Sequence, residues 1–182
     1  MRKADRIDII VSFLMESGVK MLLQELKKAM KRGAKVRILT GNYLGITQPS
    51  ALYLIKHELG ELVDLRFYNE KNRSFHPKSY IFHYADHSEI YIGSSNISRS
   101  ALTSGIEWNY RFSSHRDPEN YEKFYCTFED LFQNHSIVID DKELKRYSKT
   151  WHRPAASKDL DRYDNVEEEE DTKVRLLFEP RG

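Results

Sequence analysis

Cysteine is almost missing: Cys126 is the one cysteine in 182 residues. No disulfide can therefore form within the chain, which suits a reducing compartment. Long apolar runs are also absent, none approaching the ~20 residues that span a bilayer. The start, Met1-Arg2-Lys3-Ala4-Asp5, has neither the apolar stretch nor the cleavage site of a secretory signal. A cytoplasmic location without membrane attachment is the expectation by elimination. Metal-ligand spacing is missing too, since there is no Asp/Glu cluster or Cys/His spacing typical of a metal site and His115, His135 and His152 are scattered. Neither metal nor cofactor is expected. Large net charge is lacking as well, at +1 overall. That balance hides an asymmetry, because residues 154–182 hold five Lys/Arg against nine Asp/Glu. The remaining body is mildly basic, which is compatible with nucleic acid but does not require it.

What is present is a regular alternation of strand and helix patterns. Ile7 to Phe13 is nearly continuous apolar sequence and reads as a buried strand. Ser17 to Arg32 carries Val19, Leu22, Leu23, Leu26 and Met30 at helical spacing and stops at Gly33. Val36 to Leu39 is a second strand, completing a βαβ unit. Pro49 opens a helix that runs to about Leu59, before Gly60. Val63 to Tyr68, Ser79 to Phe82, Ile90 to Gly93 and Glu107 to Phe112 read as further strands, with a short helix capped by Ser98 after Asn96. Asp117-Pro118 starts the last strong helix, whose stripe of Tyr121, Phe124, Tyr125, Phe128, Leu131 and Phe132 reads as core, with Cys126 as inert packing beside it. The fold class expected is α/β, a mostly parallel mixed sheet with helices on both faces. Residues 1–153 form the domain. Residues 154–182, with the run Glu167 to Asp171, read as an acidic linker leading to the truncated start of another domain.

The chemistry concentrates in two short stretches, His76-Pro77-Lys78 and Gly93-Ser94-Ser95-Asn96. Alternate residues of an extended chain face one way, so His76 and Lys78 project to the same side. An imidazole can attack phosphorus, while an ammonium and an amide hold the non-bridging oxygens as charge develops. Gly93 allows a sharp turn, and Ser94 and Ser95 offer hydroxyls and amides to an oxyanion. Asn96 adds a donor just before a helix start, a favourable place for phosphate.

These residues resemble the phospholipase D superfamily, whose pattern is His-x-Lys, four spacers, Asp, then Gly-Ser/Gly-x-Asn. Here the spacer leads to His83 instead of aspartate. A subgroup without that aspartate uses an acidic residue downstream of the asparagine, and Glu107 in Ser104-Gly105-Ile106-Glu107-Trp108-Asn109 is the matching position. That subgroup includes metal-independent restriction endonucleases and the N-terminal domains of bacterial superfamily II helicases. The stretches Ala4 to Met15, Gly33 to Gly45 and Phe75 to Trp108 look like those helicase-associated domains, and the resemblance spans roughly residues 4 to 135.

The resemblance implies a phosphodiesterase fold with His76, Lys78, Asn96 and Glu107 as catalytic residues and Ser94 and Ser95 on the phosphate. His76 would form a phosphohistidine, with Glu107 orienting it. Asp86 is the second candidate for that orienting role, and His83 reads as an exposed histidine at a strand end. Because the superfamily uses two motif copies and this chain has one, a homodimer is expected to complete the site. The implied substrate is nucleic acid, DNA ahead of RNA, with Arg73, Arg99 and Arg111 available for flanking phosphates. The implied setting is a helicase-like domain in the same parent chain. Two other readings compete: an inactive nucleic-acid-binding or dimerisation module, and a phospholipid or small-diester hydrolase. The second is disfavoured because no amphipathic membrane-binding helix is visible.

Overall fold

A computed structural model of the chain describes residues 4–70, 72–155 and 160. The acidic segment expected to be a linker lies outside the described residues. Arg6–Val11 (β1), Glu16–Lys31 (α1) and Lys35–Thr40 (β2) form the βαβ unit that the apolar spacing requires. Pro49–Leu59 (α2) and Val63–Tyr68 (β3) follow. Lys78–His83 (β4), Ser88–Gly93 (β5), the single turn Arg99–Leu102 (α3) and Asn109–Ser113 (β6) complete the central part. Pro118–Asn134 (α4), Ser136–Val138 (β7) and Asp141–Thr150 (α5) close the described domain.

The strands make one seven-stranded sheet in the order β6-β5-β4-β1-β2-β3-β7. Parallel pairing joins β1 to β2 and β2 to β3. The four other pairings, β1–β4, β4–β5, β5–β6 and β3–β7, are antiparallel. The sheet is thus mixed as expected, but antiparallel pairs outnumber parallel ones. The cause is the short turn between β4 and β5, which makes a hairpin where a crossover helix would be needed for parallel strands. The ends of β1 and β2, the start of β4 and the end of β5 all lie along one edge of the sheet. That edge lies beyond the carboxyl ends of the parallel strands, where open α/β sheets place their sites.

Both faces are covered. Ile7, Ile9 and Val11 point into a core with α1, α2 and Leu144 of α5, whereas Ile10 of β1 points into a second core with Phe128 and Phe132 of α4. Period-two alternation along β1 produces this division. The aromatic stripe of α4 is core at Phe128 and Phe132, 2% and 0% exposed, each burial contributing about 1.5–3 kcal/mol. Phe124 of the same helix stays 46% exposed, and Cys126 is exposed and not packed as the stripe suggested. Asp117 caps α4 by accepting from the Asn120 amide at 3.3 Å, and Ser98 caps α3 by accepting from the Ala101 amide at 3.2 Å.

Asp8 is fully buried on the α4 face. Arg37 of β2 donates to both its oxygens, Nε to Oδ1 and Nη2 to Oδ2, each at 2.7 Å. The same guanidinium reaches Glu129 of α4 at 2.6 and 3.1 Å. His83 Nε2 lies 2.7 Å from Asp8 Oδ2, and Arg6 Nη2 donates to Tyr125 Oη at 2.8 Å. His83 does end β4, as expected, but it is not exposed and it lies far from His76. It is half-buried, roughly 17 Å along β4 from Lys78, and is bonded to Asp8 of the neighbouring strand. Burial pushes the Asp8 carboxyl up, but the bonds from Arg37 and His83 outweigh it and hold the pKa below the usual range. A depressed folded value contributes stability above the unfolded pKa of about 3.9, lost as pH falls through the folded value. Asp8→Asn is accordingly expected to cost about 3–5 kcal/mol in urea unfolding at pH 7, where it leaves Arg37 short of a charge partner. The gap to the parent chain should narrow steadily below pH 4; a gap unchanged down to pH 2 would contradict this account of Asp8.

Candidate active site

Three segments meet at the sheet edge. The first follows β1: Ser12 to Met15, leading into α1. The second is the approach to β4, with Phe75, His76 and Pro77. The third is the turn after β5, from Ser94 to Ser98. Asn96 joins the first to the third, since its Oδ1 accepts the backbone amides of Ser12 at 3.0 Å and Phe13 at 3.3 Å. Two N–H donors fix the amide's orientation, because only oxygen can accept them. Leu14 and Ile97 form a parallel bridge, and Met15 N donates to Ile97 O at 2.9 Å. Gly18 of α1 makes this junction possible. A Cβ there would sit 2.5 Å from the Ile97 carbonyl carbon and the Ser98 nitrogen, which no side chain tolerates.

Lys78 is the first residue of β4, pairs with Val11 and is only 8% exposed. Its Nζ lies 3.0 Å from His76 Nδ1, 3.1 Å from His76 Nε2 and 3.1 Å from the His76 carbonyl. The imidazole itself is exposed and rests against the Tyr43 ring, with centroids 4.5 Å apart. Burial and then the charge of Lys78 lower the His76 pKa. Burial lowers that of Lys78 as well, partly offset by the carboxylate of Glu107. A cation in a desolvated corner beside a neutral imidazole suits an incoming anion: a phosphodiester would gain charge pairing with Lys78 while meeting an unprotonated nucleophile.

Of the six residues picked from sequence, His76, Lys78, Ser94, Ser95 and Asn96 sit on these converging segments or at the start of β4. Glu107 is half-buried in the loop before β6, not on the strand itself. It accepts from Ser94 Oγ and acts electrostatically on Lys78 and Tyr80, but no hydrogen bond joins it to His76 among the described residues. Asp86 occupies the turn at the opposite end of β4, bonded to His87 at 2.7 Å, which removes it as an orienting group for His76. The serines are engaged in holding the turn. Ser94 Oγ also accepts from Trp108 N at 3.0 Å, and Ser95 Oγ accepts from Asn109 Nδ2 at 2.8 Å. Gly93 serves close approach and not a sharp turn. It is not among the positive-φ glycines, and a Cβ there would come within 2.8 Å of Asn109 Cα on β6. Of the three arginines, Arg111 pairs with Glu89 and lies over the Tyr91 ring at 5.8 Å.

Sequence reading missed Ser12, Phe13, Gly18 and Tyr43. None has a local signature, because each acts through a contact distant in sequence. On the α4 face, a largely apolar cavity of about 330 Å³ opens beside His76 and Lys78, lined also by Ile92, Phe124 and Leu131.

Residues 1–135 match the family model described as "Cardiolipin synthase, PLD-like domain". No curated protein matches the chain in sequence. Among solved structures, NucT from Helicobacter pylori is similar at a TM-score of 0.54 and 17% identity, over 74% of this chain and 82% of that one. Polyphosphate kinase from Porphyromonas gingivalis is similar at 0.57 and 14% identity, over 93% of this chain but 24% of that one. Phosphatidylserine synthase from Haemophilus influenzae Rd KW20 gives 0.52 and 15% identity, over 94% of this chain and 42% of that one. At these identities the likeness concerns the fold. No described helix is long and apolar enough to cross a membrane.

The electrostatics make a direct prediction. By NMR titration His76 should have a pKa below the ordinary value of about 6.5, and Lys78→Met should raise it. Unprotonated imidazole is the attacking form, so the acidic limb of any activity should lie below pH ~6.5 and move up in Lys78→Met. A His76 pKa indifferent to Lys78→Met would refute the coupling.

Proposed function

The chain belongs to the PLD-like domain family of the phospholipase D superfamily, and on that footing we propose that it is a metal-independent phosphodiesterase acting on nucleic acid. The observation that carries this reading is Lys78 Nζ at 3.0 Å from His76 Nδ1, on the edge where Asn96 is pinned to the β1 loop. In the proposed reaction a ring nitrogen of His76 attacks phosphorus and the bond to the leaving oxygen breaks. Lys78 and the amide of Asn96 stabilise the phosphoryl oxygens. A proton must reach the leaving oxygen, and a base must later activate water to cleave the phosphorus–nitrogen bond. His76 of the partner subunit supplies both in a twofold homodimer.

The loop that carries Glu107 supports such a contact. Ile106 and Trp108 on either side of it are 96% and 84% exposed, and Tyr110 on the edge strand β6 is 69% exposed. Large apolar side chains grouped beside an incomplete site suit a second copy. The mildly basic body suits DNA, and the acidic segment beyond it fits our placement of the domain at the N-terminus of a helicase or restriction-type protein. A second reading, a phosphate-binding module without turnover, draws on one observation: His76 has no carboxylate partner among the described residues.

Two measurements test the proposal. End-labelled single- and double-stranded DNA should be cut in excess EDTA, and His76→Ala should remove at least ~10²–10⁴-fold of that rate. Salt-sensitive binding without cutting would favour the binding module. Light scattering at micromolar concentration should give a dimer, and Trp108→Glu should give a monomer that no longer cuts. An active monomer would exclude a shared site.

A further inference from the structure

A second cavity, of about 410 Å³, lies where the carboxyl ends of β2 and β3 face α5. Its walls include Asn42, Phe67, Tyr68, Asn69, Arg146 and Tyr147. Two aromatic rings, Phe67 and Tyr147, with amides, a guanidinium and the carboxylates of Glu70 and Glu143 at their edges are the composition of a site for a flat, polar-edged ring. The walls are built and held. Tyr147 Oη donates to Thr47 O at 2.7 Å and lies 2.8 Å from the Asn42 side-chain amide, and the Phe67 and Tyr147 rings pack at 5.2 Å. Arg146 is held at the rim by Glu143 through Nη2 to Oε2 at 2.6 Å.

Two contacts tie this cavity to the candidate active site. Tyr68 stacks on Phe75, the residue before His76, at 4.5 Å and 21°. Asn42 precedes Tyr43, whose ring lies 4.5 Å from that of His76. A strand whose phosphodiester meets His76 therefore has this cavity within reach of a neighbouring base. We infer that the cleft between the β2–β3 edge and α5 is a nucleobase subsite, taking a base next to the scissile phosphodiester by stacking on its aromatic wall and hydrogen bonding to Asn42 and Asn69. The inference rests on the nucleic-acid reading above and names where that substrate is read.

The two fail separately. In a His76→Ala chain, the side-chain amide NMR signals of Asn42 and Asn69 should shift on addition of a thymidine dinucleotide, but not on addition of base-free deoxyribose 5-phosphate. In the active chain, the exposed-site variant Asn69→Ala should raise KM for an oligonucleotide at least about fivefold with kcat little changed. Cleavage of an oligonucleotide with an abasic residue next to the scissile phosphodiester should be unaffected by Asn69→Ala. Shifts confined to residues around Lys78, with KM unmoved by Asn69→Ala, would overturn the base subsite while leaving the phosphodiesterase reading intact. Shifts nowhere and no cleavage would overturn both.

Discussion

Everything at this sheet edge depends on Asn96 Oδ1 accepting two backbone amides from the loop after β1. Leaving those amides unmet in a buried position would cost about 1–3 kcal/mol each, so the loop and the turn are locked together. The lock also divides the amide's labour. Its oxygen is spent on the fold, and its nitrogen, with no acceptor among the described residues, is the half that can hold a phosphoryl oxygen. Gly18 and the Leu14–Ile97 bridge extend the junction into α1 and prevent the turn from drifting away from Lys78. The functional arrangement is thus built by strands far apart in sequence that end on one line.

Charge is managed in two separate ways in this molecule. On the α4 face, Asp8 is buried with Arg37, His83 and Glu129 around it, and each charge has a partner. At the sheet edge Lys78 is nearly as secluded, yet its close neighbour is an imidazole, with Glu107 acting only from further off. The first arrangement stabilises the fold and is closed. The second is left short of negative charge, which is what a phosphodiester brings. His83 belongs to the first system, so the residue that departs from the superfamily pattern marks a change in how the sheet is held together.

Six of the seven strands, the first two long helices and α4 were legible because apolar periodicity, Pro49, Gly33 and Asp117-Pro118 all state their roles locally. Val63–Tyr68 and Pro49–Leu59 match expectation residue for residue. By contrast β7 has three residues, and α5 buries only Leu144 fully, so neither yields a pattern. The cap Asp140 with Glu143 three residues on was the available sign of α5. At the candidate site, the motif picked out His76, Lys78 and Asn96 by spacing, and all three lie along the same sheet edge. The same spacing misassigned Gly93, whose lack of a side chain serves contact with β6, and could not show that Ser94 is occupied with Glu107. Those properties arise from pairing between strands and not from neighbours in sequence.

The central claim is covalent catalysis by His76 without metal. Acid-labile phosphohistidines survive alkaline quenching, so the most direct measurement is mass spectrometry of the chain after brief reaction with DNA in excess EDTA, quenched at high pH. The account predicts a phosphoryl-linked adduct on the peptide containing His76, absent from His76→Ala and accumulating in step with the first turnover. Cleavage under the same conditions with His76 unmodified throughout would contradict it.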